Sequence, residues 1–147
     1  MWRSIFPVIA FALLAGACAH HDAARPSASA VKRTHERKAR EAAIEWLELV
    51  DKGDYEEALD REPARIRAAV TLRQFERSME ARRAPFGHAI SRTLVGSESS
   101  RRLSGAPDAN YESLLFKTAF EHKAAAAERV ILAEEHGRWR VVDYRVY

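Results

Sequence analysis

Residues 72–95 read LRQFERSMEARRAPFGHAISRTLV, and the period of their apolar residues changes halfway along. Leu72, Phe75 and Met79 recur at three- and four-residue spacing, which places them on one side of a helix. Thr71 in front of them, with Gln74 three residues on, makes a capping box, and Pro85 with Gly87 stops the helix. Beyond Gly87, Ile90, Arg92 and Leu94 alternate with Ser91, Thr93 and Val95, the period of a half-buried strand.

Upstream of this switch the periodic segments are helical. Ala39, Ala42, Ala43, Trp46, Leu47 and Val50 form one stripe of a helix that starts near Thr34, and Gly53 ends it. Asp54, with Glu57 three residues on, predicts a capped second helix carrying Tyr55, Ala58 and Leu59. Pro63 breaks or restarts it, and Ile66, Ala69 and Val70 supply a short further stripe.

Downstream the chain is extended. After the turn-rich Ser104-Gly105-Ala106-Pro107-Asp108, the residues Leu114, Phe116, Thr118 and Phe120 line one side of a second strand. The connection at 121–123 leads to an alanine run, Ala124 to Ala127, of no resolved preference, then to a strand around Val130 and Leu132. A turn at His136-Gly137 and a final strand from Trp139 to Tyr147 close the chain. Helices gathered before strands predict an α+β domain, the N-terminal helices packed on one face of an antiparallel sheet of about four strands. Nothing helical separates the strands, which argues against βαβ units.

The first seventeen residues read differently. Arg3 precedes an uncharged run from Ile5 to Ala17, too short for a membrane span and interrupted by Pro7, so residues 1–17 are expected to be a cleaved export signal. Leu14-Ala15-Gly16-Ala17-Cys18 resembles the lipobox of bacterial lipoproteins, with Ala15 where leucine is usual. An ordinary A-x-A signal is the alternative and leads to a soluble periplasmic product. Cys18 is the single cysteine, so an internal disulfide is impossible, and its place just after an apolar run favours lipidation. The resemblance to lipoproteins, with Ala19 rather than aspartate after the cysteine, points to the outer membrane. Residues 18–33 then read as the lipidated cysteine and a flexible tether, and 34–147 as one domain. Cys18, His20, His21 and Asp22 have the side chains of a metal site, but an acylated sulfur is no thiolate donor and the rest sit on the tether.

Composition narrows the function classes. The chain of 147 residues is 47% hydrophobic and 31% charged, which fits a globular domain. A net charge of +3 is too balanced for a nucleic-acid binder. The positive charge is concentrated: residues 61–102 hold ten arginines against four glutamates. Arg82, Arg83 and Arg92 are chemically able to hold a carboxylate, a phosphate-bearing lipid headgroup or an acidic protein surface, whereas the simpler reading pairs this stretch with the acidic first helix. No Walker loop, GxSxG, HExxH or CxxC is present, so no cofactor or metal is expected.

The run Trp46-Leu47-Glu48-Leu49-Val50-Asp51-Lys52-Gly53-Asp54-Tyr55, then Arg83-Ala84-Pro85-Phe86-Gly87 with Ser91-Arg92, Pro107-Asp108 with Tyr111, Glu128 with Val130, and Gly137 with Trp139, Val141 and Tyr144 resembles the bacterial domain-of-unknown-function 4019 family. The likeness spans about residues 39 to 147 and departs from the family at Phe75, where tryptophan is usual, and at Asp143, where glycine commonly precedes the tyrosine. The resemblance implies an exported or lipid-anchored protein, a cone of helices against a curved sheet similar to the nuclear-transport-factor-2 superfamily, and no established activity. Arg83 and Arg92 fall in the shared motif and are the first binding candidates.

A cone of that kind often holds a pocket, and some members of that superfamily use an Asp or His in it for proton abstraction, which makes Asp143, His88 and Tyr144 candidates by analogy. The simpler reading pairs Asp143 with a neighbouring arginine, leaves His88 on a surface strand and packs Tyr144 in the core. Trp46, Tyr55, Phe86, Trp139 and Tyr144 are likewise either pocket lining or core, and core is the commoner fate. The expectation is a non-catalytic, lipid-anchored envelope protein facing the periplasm. It would bind an envelope protein or a small ligand through Arg83, Arg92, Asp143 or Tyr144, with a pocket enzyme of isomerase or dehydratase type as the alternative.

Overall fold

The computed structural model describes residues 27–147. Cys18, the export signal and the first part of the expected tether lie outside the described residues. Four helices, α1 (Ala28–Lys52), α2 (Tyr55–Asp60), α3 (Ala64–Ala69) and α4 (Leu72–Arg83), precede four strands, β1 (Ala89–Ser100), β2 (Tyr111–Phe120), β3 (Lys123–Glu135) and β4 (Arg138–Val146). The strands form one antiparallel sheet in the order β1-β2-β3-β4, so the α+β expectation holds. No described helix is long and apolar enough to cross a membrane.

Helix α1 begins at Ala28, six residues before Thr34, so the segment 28–33 read as tether is helical. The Ser27 side chain accepts a bond from the Ala30 amide, and the alanines at 28 and 30 favour the helix. At the other end Gly53 takes φ 79° and caps the last turn. Ala39, Ala43, Trp46, Leu47 and Val50 are its buried stripe, as the spacing predicts. The Trp46 indole N–H donates to the Ala58 carbonyl at 3.0 Å and so ties α1 to α2.

Two local expectations fail. Asp54 makes no side-chain cap to α2, because ψ 61° takes its backbone out of the extended geometry that aims a cap oxygen at the first amides. Helix α3 buries none of its residues, so its expected stripe is at most half covered. The Thr71–Gln74 box at the start of α4 is complete: the Gln74 amide donates to Thr71 Oγ1 at 3.3 Å and the Thr71 amide to Gln74 Oε1 at 2.8 Å.

The sheet turns one face to the helices. Leu114 and Phe116 of β2, Val130 and Leu132 of β3, and Val141 and Tyr144 of β4 join Trp46, Leu47, Phe75 and Met79 in the core. Four register shifts interrupt the ladders, one of them between Thr118 and Phe120 where β2 meets β3 and the other three in the β1–β2 and β3–β4 pairings. In the first of the two between β1 and β2, Ala89 and Ser91 pair with consecutive residues of β2, which leaves Ile90 bulged and 70% exposed instead of inward. The second bulges Val95, also exposed. Between β3 and β4, Ile131 pairs with Asp143 but Leu132 with Val141, so Val142 is the extra residue and Val141 and Tyr144, three apart, both face inward. On the opposite face the β1–β2 connection brings Leu103, Ala106 and Ala109 over Tyr111, Ile131 and Ala133. His136 (φ 51°) and Gly137 (φ 76°) supply the two left-handed residues of a tight hairpin turn between β3 and β4.

The passage from helix to sheet depends on Gly87. Its φ is +75°, and a Cβ there would lie 2.7 Å from Glu121 Oε2 and 3.0 Å from Glu121 Cβ. Glu121 in turn accepts the His88 amide at 3.0 Å. Gly105 has φ +76° with nothing near the Cβ position. Gly87→Ala is therefore expected to lose about 2–3 kcal/mol and Gly105→Ala about 1 kcal/mol in urea unfolding. Equal losses would remove the contact with Glu121 from the explanation.

Candidate functional site

Six elements each send one polar side chain to a single point between helices and sheet. Asp51 comes from the last turn of α1, Arg83 from the end of α4, Arg92 from β1, Thr118 from β2, Glu128 from β3 and Tyr144 from β4. Arg83 Nη2 donates to Asp51 Oδ1 at 2.5 Å, and Arg83 Nη1 reaches Glu128 Oε1 at 3.4 Å. Arg92 Nε donates to Glu128 Oε2 at 2.5 Å, while its Nη1 and Nη2 donate to Asp51 at 3.0 and 3.2 Å. Two guanidinium groups and two carboxylates thus alternate in a closed ring. Glu128 is fully buried and also accepts the hydroxyls of Thr118 at 2.5 Å and Tyr144 at 2.6 Å, and Tyr144 accepts from Arg83 Nη1 at 3.1 Å.

Electrostatics fix the protonation of the ring's donors. Burial by itself would lower the pKa of Arg92, but its bonds to Glu128 and Asp51 outweigh that and raise it. Arg83 is raised in the same way, against burial, by Tyr144 and Asp51. Burial and the Glu128 carboxylate push the Tyr144 phenol up, so it stays protonated and donates. Neither arginine is free to receive a partner's acid: their side chains are 11% and 15% exposed, and Asp51 and Glu128 occupy both forks. The pairing with the first helix expected for the basic stretch is real for these two, but it is buried and not a solvated face.

The other sequence candidates lie elsewhere. Asp143 points away from the ring and pairs with Arg145 Nε at 3.0 Å. It borders a cavity of about 180 Å³ with Glu62, Arg82 and Tyr144. Arg82 donates to the Tyr144 carbonyl at 2.6 Å. Glu62, which no sequence signal marked, is 7% exposed, and desolvation, partly countered by Arg82, pushes its carboxyl up to about 7. His88 is exposed, near the mouth of a groove that Asp51 and Arg83 also line. Trp46 and Tyr144 are core aromatics, with ring centroids 5.2 Å apart. Among the described residues no three His, Cys, Asp or Glu side chains gather as a metal site.

A cleft of about 360 Å³ opens between the first turns of α1 and the facing ends of β1 and β2. Val31, Lys32 and His35 form one wall, and Ser99, Arg101, Asn110, Tyr111, Glu112 and Trp139 the others. Glu112 is 2% exposed and accepts the hydroxyls of Ser97 and Ser99. Its volume lies in the range of small-molecule sites, about 300–1,000 Å³.

Comparison with known proteins finds a family model described as "Protein of unknown function (DUF4019)", which matches residues 42–144. No curated protein and no solved structure matches the chain.

Proposed function

The chain belongs to the DUF4019 family, and from that premise we propose a non-catalytic, lipid-anchored cell-envelope protein whose α+β domain holds a small ligand in the cleft beside α1. The observation that carries this reading is the cleft itself: a buried carboxylate beside Val31 and Trp139, with a volume suited to a small molecule. The engagement of Arg83 and Arg92 by Asp51 and Glu128 moves the binding role away from the basic stretch and toward this end of the domain.

The anchor rests on Cys18. Acyl chains on its sulfur and amino group would each add about 0.8 kcal/mol per buried methylene, so two or more chains hold the protein stably on a membrane, here the periplasmic face of the outer membrane. Mass spectrometry of the native protein should find an N-terminal peptide that begins at Cys18 and carries fatty acids. Cys18→Ala should lose them and move to the soluble fraction. An unmodified mature N-terminus overturns the anchor and leaves the soluble periplasmic alternative.

A pocket enzyme of isomerase or dehydratase type is the second reading, and one observation favours it. Glu62 titrates near neutrality beside Asp143 and Tyr144, as a general acid or base should. The cavity there is about 180 Å³, below the usual range for a small-molecule site, which weighs for binding in the larger cleft.

A further inference from the structure

The two buried glutamates of the sheet, Glu112 and Glu128, are compensated differently. Glu128 has two guanidinium groups on it. Glu112 is buried to nearly the same degree, yet its bonds come from Ser97 Oγ and from Ser99 Oγ at 2.7 Å, both neutral. Among the described residues no Lys, Arg or His nitrogen lies within 4 Å of it. Two basic side chains at the cleft's edge are turned elsewhere: Lys32 lies 3.7 Å from Glu36, and His35 lies 3.6 Å from Glu134, which also accepts from Asn110 at 2.8 Å. A buried carboxylate without a counter-charge is costly, and a carboxylate has acceptor sites for about four donors, so Glu112 has capacity for roughly two more.

Resting on the small-ligand reading of the cleft, we infer that its ligand carries a primary ammonium group joined to an apolar body. The ammonium, with three donors, sits on Glu112 and supplies the missing positive charge. The body lies against Val31 and Trp139. Arg101 at the rim has no ion-pair partner among the described residues, so a ligand with an acidic group as well, as in an amino acid, finds a second contact there.

Four probes of one shape test this: 2-phenylethylamine, phenylalanine, 2-phenylethanol and 3-phenylpropionate, titrated into the purified mature protein by calorimetry, with amide and indole NMR shifts to locate binding. The amine or the zwitterion should bind at least tenfold more tightly than the alcohol, shift Tyr111, Glu112 and the Trp139 indole, and lose at least tenfold in Glu112→Gln. The acid should bind least. Val31→Trp, at a position 42% exposed on the cleft wall, should block the same shifts without touching Glu112, and it serves if Glu112→Gln does not fold. Alcohol binding equal to or tighter than amine binding, at the same residues, overturns the ammonium inference and leaves the ligand reading standing. If none of the four shifts the cleft residues, both fall.

Discussion

Glu128→Ala is expected to destabilise the domain by about 3–5 kcal/mol, a large share of an ordinary native stability of about 5–15 kcal/mol. The substitution leaves Arg83 and Arg92 buried, and removes the acceptor of the Thr118 and Tyr144 hydroxyls. The loss measures the stranded charges and not the worth of the ring, which sits in a medium where desolvation offsets most of the attraction. Removing a cation with its partner, as in Arg92→Met with Glu128→Leu, should therefore be less harmful than Glu128→Ala alone. Asp51→Ala should lose less than Glu128→Ala too, because Asp51 is 26% exposed and water can reach the donors it vacates. Urea unfolding of the four proteins checks the order. A double variant worse than Glu128→Ala, or a larger loss at Asp51, would remove stranded charge as the cause. The network also fixes which helix end meets which strand, since the four side chains of the ring and the two hydroxyls bonded to it come from six elements.

Much of this was legible because local rules and tertiary structure agreed. Gly53, the Thr71–Gln74 box, the inward row Leu114, Phe116, Thr118, Phe120 and the His136-Gly137 turn all act where they were read. The bulges at Ile90, Val95 and Val142 were not legible, because an extra residue in one strand leaves no compositional mark. Arg83 and Arg92 stood out by resemblance, but their partners Asp51 and Glu128 are 32 to 45 residues away along the chain and meet them only through the fold. A signal for Glu112, Glu128 and Arg92 did exist: each shares a strand face with apolar residues, Glu112 with Leu114, Glu128 with Val130 and Arg92 with Leu94. A charge on an inward register position is a buried-pair or ligand signal. Asp143 and Tyr144 could be separated in the same way, since neighbours in a strand point to opposite faces. Glu62 had no such mark, since it lies between α2 and α3, outside any periodic segment, and is buried all the same.

Between pH 5 and 8 the stability of the wild type should fall relative to Glu62→Gln by about 2–3 kcal/mol. The sign follows from the direction of the shift. Burial holds the native carboxyl at about 7 against an ordinary value of 4.5. In that window the unfolded chain releases the proton while the native state keeps it, so unfolding becomes easier as pH rises, by about 1.4 kcal/mol per unit. The penalty is absent well below 4.5 and complete well above 7. Asp143 borders the same cavity but has Arg145 at 3.0 Å, and Arg82 faces it while held on the Tyr144 carbonyl. Tyr144, Arg83 and Arg92 are all raised above their already high ordinary values, so the slope near neutrality is not theirs. Comparing wild type and variant at each pH cancels any fixed cost of burying an amide, and parallel curves from pH 5 to 8 would refute the raised carboxyl. The same curves bear on catalysis: a carboxyl half-protonated near neutrality has a proton to exchange with a substrate, and one that titrates in the ordinary range leaves the pocket-enzyme reading without its acid.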